Sequence, residues 1–439
     1  MHLFPSVGIQ IPDIFLPKPG IELHKWAVIA CDQFTSQPDY WDKVREAVGD
    51  SPSTLNLVLP EVFLGQTNEN DRIQSTYQTM QGYLKQGILQ GFEGMIALER
   101  TVGSSKRKGL ILALDLEKYD FNRGSQTLIR ATEGTILDRL PPRIKIRENA
   151  TLELPHILVL IDDPEQTVIE PVLEAARGNL PEYDFELMLG SGHLTGWKIT
   201  DPKLENQMIK ALEKLAEPKF FQQKYRVGPE KGVLLYAMGD GNHSLATAKS
   251  VWEMNKATLG IDHPSRYALI ELENLHDPAL VFEPIHRVLM GANPEAVIAG
   301  MKAHFGARLK IENVSSMQNM VESVRSQNSL SHRFGMITSG GHLVLEIMQP
   351  ATNLPVGTLQ SFLDIWLKAA TSVKIDYVHG EDVIENLCSQ PGYVGFYLSA
   401  MAKSELFRSV ILDGALPRKA FSMGEAKEKR FYMEARKIK

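Results

Sequence analysis

Asp240, Gly241, Asn242, His243 and Ser244 bring a carboxylate, an amide, an imidazole and a hydroxyl into five consecutive positions. They follow the apolar run Leu234–Met238 and precede the alanine-rich stretch Leu245–Lys249, so the spacing predicts a strand, a glycine-bracketed turn and a helix. Amides at a helix start lack intrahelical acceptors and carry the positive end of the helix dipole, which suits a phosphate. Gly239 and Gly241 would let a ligand approach the main chain closely. On this reading the junction can hold a phosphate on its backbone amides. The competing reading is a plain helix cap and surface turn, because Asp, Asn and Ser favour both.

A second block runs from Ile129 to Arg147. An apolar strand ending at Ile129 would deliver Thr132, Glu133 and Thr135 to a turn opened by Gly134. Arg130, Arg139, Arg143, Lys145 and Arg147 then gather positive charge in a protein whose net charge is -6. Arginine forks match phosphate oxygens in geometry as well as charge, so Arg139 and Arg143 are candidates for balancing a transferred phosphoryl group. A solvated helix face laced with ion pairs is the alternative. In a third block, Lys419 and Ser422 flank Phe421 and could bind phosphate or a substrate carboxylate. The segment after it, Glu425–Lys437, reads as a terminal helix with a charged outer face. Asp32, at the end of the strand-like run Trp26–Ala30, either enters a pocket or caps the next helix. Gly190–His193 reads as a hairpin turn.

The elements that must position these groups alternate along the chain in the manner of an α/β fold, with mixed sheets flanked by helices. Strand-like runs include Leu55–Leu59, Gly109–Leu116, His156–Ile161, Gly232–Met238, Tyr267–Glu271 and Phe334–Thr338. Helix-like segments include Tyr40–Val48, Asp71–Gln86, Pro164–Ala176, Leu204–Glu217, Leu245–Asn255, Pro294–His304 and Leu359–Thr371. At 439 residues the chain is long enough for two subdomains. The polar stretch Pro218–Gly232 reads as helix-poor and as the seam between residues 1–225 and 226–439.

Composition narrows the partners. The negative net charge argues against a general nucleic-acid or membrane-surface binder. Two cysteines, Cys31 and Cys388, support neither a disulfide scaffold nor a cysteine zinc site. Neither a signal-peptide pattern nor a membrane-length apolar run is visible, so a cytoplasmic location is expected. Walker, dinucleotide-binding, H-E-x-x-H and G-x-S-x-G patterns are all missing.

The motif Asp240-Gly241-Asn242-His243 resembles the D-G-H-H-R motif of the domain-of-unknown-function family numbered 1015, in its longer-chain subgroup. Asn242 and Ser244 depart from it, where the family usually has His and Arg. Glu133 and Thr135 match the family's H-E-x-T segment, with Thr132 in place of His, and Lys419 and Ser422 lie in a segment similar to its P-x-K-(S/T)-x-F. More distantly, the loop is similar to that of the ParB/sulfiredoxin superfamily, which includes an ADP-dependent kinase of free serine. The resemblance implies a ParB/sulfiredoxin-like nucleotide-binding core and a phosphotransferase acting on the hydroxyl of a small metabolite, with free L-serine as the best single acceptor. ATP, ADP or another phosphoanhydride would be the donor, with its phosphates cradled by the amides of residues 241–244, Mg²⁺ held by Asp240 and a phosphate oxygen accepting from His243. Glu133, Asp240 and His243 would be catalytic, Gly241, Asn242, Ser244, Arg139, Arg143 and Lys419 would bind phosphate, and Asp32, Thr135 and Ser422 would contact substrate. A non-catalytic nucleotide-binding regulator and a phosphoserine phosphatase are the alternatives, and a homo-oligomer is compatible with either.

Overall fold

A computed structural model describes residues 2–326, 330–424 and 426–439. The protein is mixed α/β, and it divides into two compact units, Met1–Leu280 with Gly424–Lys439, and Val281–Met423.

The first unit is built on an eleven-stranded mixed sheet. Its spine is the strand Tyr267–Asn274, buried along its whole length. This strand pairs antiparallel with Ser105–Asp115 on one side and parallel with Leu158–Ile161 on the other. Tyr236–Asp240 then joins Leu158–Ile161 antiparallel and pairs parallel with Ile129–Arg130. The apolar runs are continuous because helices cover the sheet, so both faces of each central strand are dry. Two acids interrupt the spine, Glu271 and Glu273, and buried arginines answer them. Arg430 reaches Glu271 at 2.9 Å and Arg107 reaches Glu273 at 2.7 Å.

The second unit holds a six-stranded antiparallel sheet in the order Leu309–Val314, Gly341–Met348, Ser331–Thr338, Tyr393–Tyr397, His286–Met290, Lys374–Val378. Helices Met317–Arg325 and Glu381–Cys388 pack their apolar residues against it.

Several sequence expectations are corrected. The division falls after Leu280 and after Met423, not at residue 225, because the strands Ile129–Arg130, Leu158–Ile161, Tyr236–Asp240 and Tyr267–Asn274 share one sheet. The supposed seam contains the helix Pro218–Tyr225, started by Pro218 and ended by Arg226 in the left-handed conformation. Trp26 ends a short helix, Leu23–Trp26, and only Val28–Ile29 forms strand. Leu55 belongs to a turn of 3-10 helix, Thr54–Leu57, capped by the Ser53 hydroxyl.

Among the described residues the expected terminal helix does not form, beyond the single 3-10 turn Ala426–Glu428. Glu425 lies outside the described residues, and beyond it Phe431–Tyr432 pairs with Val28–Ile29 while Arg436–Lys437 pairs with Leu152–Glu153. A surface helix would leave Arg430, Glu434 and Arg436 in water. They are buried instead, with Arg430 bound to Glu271 and Glu434, and Arg436 bound to Glu153. The hairpin expectation holds: Tyr183–Glu186 and His193–Ile199 pair antiparallel around Met188–Gly190.

Candidate functional site

The strand Tyr236–Asp240 runs into Gly241, and the helix Asn242–Leu259 begins on the next residue. Gly241 has φ of 79°, a left-handed value costly for any residue with a Cβ. A Cβ there would also stand 3.0 Å from the Ile157 Cα. Gly241, the residue at the N-cap, has no side chain with which to cap the first-turn amides of this helix. Asn242, His243 and Ser244 on that turn are all half-buried.

The Glu133 loop is fastened to this turn from above. Thr132 N–H donates to Asn242 Oδ1 at 3.3 Å, Thr132 Oγ1 donates to the Met238 carbonyl at 2.7 Å, and Ile136 N–H donates to His243 Nε2 at 3.3 Å. Glu133 is half-buried within the loop, and the Thr135 hydroxyl oxygen is buried without a hydrogen-bond partner among the described residues. An amide can only donate, so His243 Nε2 is an acceptor and the ring proton of the neutral imidazole belongs on Nδ1. Burial, then the positive charges of Arg143 and Arg139, press the His243 pKa down to about 4. The ring is therefore neutral at ordinary pH.

The helix Leu140–Arg147 carries the basic block against the start of Asn242–Leu259. Most of its charge is already answered. Arg143 pairs with Glu61, Lys145 with Glu69 at 3.4 Å, and Arg147 with Glu153. Arg130 is buried and donates to the carbonyls of Thr127 and Gly232, a structural role. Arg139 is exposed, with no ion pair among the described residues.

On the other side of the turn, Ser244 Oγ lies 2.6 Å from His156 Nε2, and Tyr432 Oη lies 2.8 Å from His156 Nδ1. Tyr432 in turn accepts from Cys31 N–H at 3.1 Å. Asp32 Oδ2 is 3.9 Å from His156 Nε2. Burial would lift the Asp240 carboxyl, but Lys429 at 3.0 Å and the Gly241 amide hold it below its ordinary range. Burial lifts the Glu61 carboxyl despite Arg143, and Asp32 adds to the lift. Burial, with Asp32 and Glu61 nearby, drives the Cys31 thiol far up, so it is no thiolate. A cavity of about 130 Å³ opens beside these groups, lined on its polar side by Cys31, Glu61, Arg143, His156, Ser244 and Tyr432. Leu57, Met80 and Ile157 are among the apolar residues that form its remaining wall.

Asp32, Glu133, Thr135, Arg139, Arg143, Asp240, Gly241, Asn242, His243 and Ser244 all belong to the first unit. Lys419 and Ser422 belong to the second. Lys419 is exposed, with its carbonyl accepting from Arg287 at 2.9 Å, and Ser422 lies on Phe421–Met423, paired with Phe282–Pro284. The sequence reading assigned no role to Glu61 or His156, and it placed Lys429 and Tyr432 on a helix that does not form. Only His156, poised before the apolar run Ile157–Ile161, carried a local signal. Among the described residues, no group of three or more His, Cys, Asp and Glu side chains could hold a metal ion. Mg²⁺ asks less, since it often takes one or two carboxylates and fills its other positions with water and phosphate oxygens. Asp32 lies 3.9 Å from His156, and Asp240 is already paired with Lys429 at 3.0 Å.

The sequence profile of the family described as Protein of unknown function (DUF1015) matches residues 15–366. The chain belongs to this family. Among curated proteins, none matches the chain in sequence. Solved structures, the following three among them, resemble the DUF1015 protein weakly. A free serine kinase in complex with AMP is 10% identical with a TM-score of 0.39, covering 75% of this chain and 92% of its own. A conserved hypothetical protein from Pyrococcus furiosus is 11% identical with a TM-score of 0.36, covering 75% and 95%. SbnI from Staphylococcus aureus, with a C-terminal truncation, is 8% identical with a TM-score of 0.35, covering 72% and 82%. No helix among the described residues is long and apolar enough to cross a membrane.

Proposed function

We propose that this DUF1015 protein is a phosphotransferase that moves a phosphoryl group from a nucleotide to the hydroxyl of a small metabolite, with free L-serine as the acceptor. The observation that carries the reading is the convergence of three elements of the first unit: the first turn of Asn242–Leu259 behind Gly241, the loop bearing Glu133 bound to that turn, and the helix Leu140–Arg147, which bears Arg143 and follows the turn Leu137–Arg139, packed beside it. Phosphoryl transfer needs charge neutralisation and alignment more than covalent help. The amides of residues 242–244 meet the donor phosphates, and neutral His243 donates from Nδ1 to a phosphate oxygen. Arg139, which has no ion pair among the described residues, supplies the fixed positive charge, while Arg143 shares its charge with Glu61. Glu133 accepts the proton of the acceptor hydroxyl. Asp240 would hold Mg²⁺, which supplies further neutralisation when bound.

The test is formation of free phosphoserine from L-serine with Mg²⁺ and either ATP or ADP. Nucleotide at a hundred times its dissociation constant should also stabilise the fold by about 2.7 kcal/mol in a thermal scan. Nucleotide binding without phosphorylation of serine or any other small alcohol would make this a nucleotide-binding regulator instead.

A further inference from the structure

Ser244, His156 and Tyr432 form a connected chain whose members are far apart in sequence, and all three line the cavity beside the Asn242 turn. The proposed kinase reaction as described above uses none of their side chains. We propose that Ser244 is a nucleophile that accepts the phosphoryl group from the donor before the acceptor takes it, with His156 as its base. This inference rests on the phosphotransferase reading and adds a covalent step to it.

The geometry is that of an activated hydroxyl: a nucleophile within hydrogen-bond reach of a base, and the base oriented by a third group. Ser244 Oγ is 2.6 Å from His156 Nε2, and Tyr432 Oη holds His156 Nδ1 at 2.8 Å. Tyr432 is itself fixed by Cys31 N–H at 3.1 Å and by burial on the strand Phe431–Tyr432. The tautomer that donates from Nδ1 to Tyr432 leaves Nε2 to take the Ser244 proton. Asp32, 3.9 Å from Nε2, then faces the imidazolium that forms. Ser244 is half-buried and is one of the residues lining the cavity, so a ligand there can approach it.

In the first half-reaction, Ser244 Oγ forms a bond to the terminal phosphorus of the nucleotide, the phosphoanhydride P–O bond breaks, and the shortened nucleotide leaves with that electron pair. The Ser244 proton goes to His156 Nε2. In the second, the acceptor oxygen bonds to phosphorus and gives its proton to Glu133. The Ser244 Oγ–P bond breaks, and Ser244 takes its proton back from His156. Glu133 releases its proton to water.

The experiment incubates the full chain with Mg²⁺ and nucleotide labelled in its terminal phosphate, without acceptor, then quenches in acid and maps the peptides. One acid-stable phosphoryl group on Ser244 is expected, discharged on adding L-serine. Ser244→Ala should lose the label, and His156→Asn should slow its formation by about 10²–10⁴-fold. Label on Ser244 that L-serine does not discharge would support the nucleophile and refute serine as acceptor. Free phosphoserine formed with no label on Ser244, even under rapid quench in a single turnover, would overturn the inference and leave the kinase standing. Acid-labile label on His156 or His243 would overturn it too, and so would full turnover by Ser244→Ala. Label on neither protein nor acceptor would overturn both readings. Peptide mapping of the unmodified chain decides the matter even if a variant folds poorly.

Discussion

The Ile136 amide donates to His243 Nε2 at 3.3 Å, and this one contact both fixes the tautomer of the imidazole and ties the Glu133 loop to the start of the Asn242 helix. A donor to Nε2 obliges the neutral ring to present Nδ1–H elsewhere. The burial that accompanies the contact, with Arg143 and Arg139 close by, keeps the ring neutral.

Acid stability should report that neutrality. The ordinary histidine value is 6.5, and that of His243 in the folded protein is about 4. Between those pH values the unfolded chain binds a proton that the native ring refuses, so the stability tied to His243 falls as pH falls through the window and changes no further below about 4. His243→Gln should therefore lose less stability than the unmodified protein between pH 6.5 and 4 in urea titrations. An unchanged slope would contradict the assignment.

Glu133→Gln should lower turnover by about 10²–10⁴-fold, because an amide of the same shape cannot take the acceptor proton. Nucleotide affinity measured by calorimetry should change by less than about tenfold, or ~1.4 kcal/mol, since other groups meet the phosphates. Full activity in this variant would move the base to Asp32 or Asp240.

Arg139 and Arg143 should behave differently although only four positions separate them. Arg143 is partly buried on Glu61, so Arg143→Ala should cost roughly 1–3 kcal/mol of stability by leaving that carboxylate without its partner. Arg139 is exposed and outside any ion pair among the described residues, so Arg139→Ala should change stability by less than about 0.5 kcal/mol. Its effect should appear instead as weaker nucleotide binding with a shallower dependence on salt. Equal losses of stability in the two variants would refute this division.

Gly241→Ala should destabilise the protein by at least about 1–2 kcal/mol, through the left-handed φ of 79° and the approach of the new Cβ to the Ile157 Cα at 3.0 Å. The same change should displace the first-turn amides, so nucleotide binding should fall with it. Gly260→Ala, also at positive φ but with open space around its Cβ position, is the control for strain at the other end of the helix.

The strand, turn and helix around Asp240 were legible because everything that makes them is local. The apolar run Tyr236–Met238 fits a strand, Gly241 alone tolerates the turn's φ, and the small residues after Ser244 favour a helix. The basic block was half legible. Its charges were plain in the sequence, while their neutralisation by Glu61, Glu69 and Glu153 was not, since those partners come from other elements. The division of the chain was misplaced for the same reason, as the parallel pairing of Leu158–Ile161 with Tyr267–Asn274 crosses the expected seam.

By itself, then, the sequence determined the mixed α/β character, the turn at Asp240–Ser244 and the neighbouring Glu133 motif, all of which rest on periodicity and turn chemistry over a few residues. Tertiary structure alone decided which groups meet across long separations. His156 reaches Ser244 across 88 positions and Tyr432 across 276, and Arg143 reaches Glu61 across 82. It also turned the last residues from a charged helix into buried strands. Arg430, Glu434 and Arg436 read as surface charge in isolation, but each finds an oppositely charged partner inside the fold, which offsets the cost of burying it. No local pattern carries that information, because the partners belong to strands that only the folded sheet brings together.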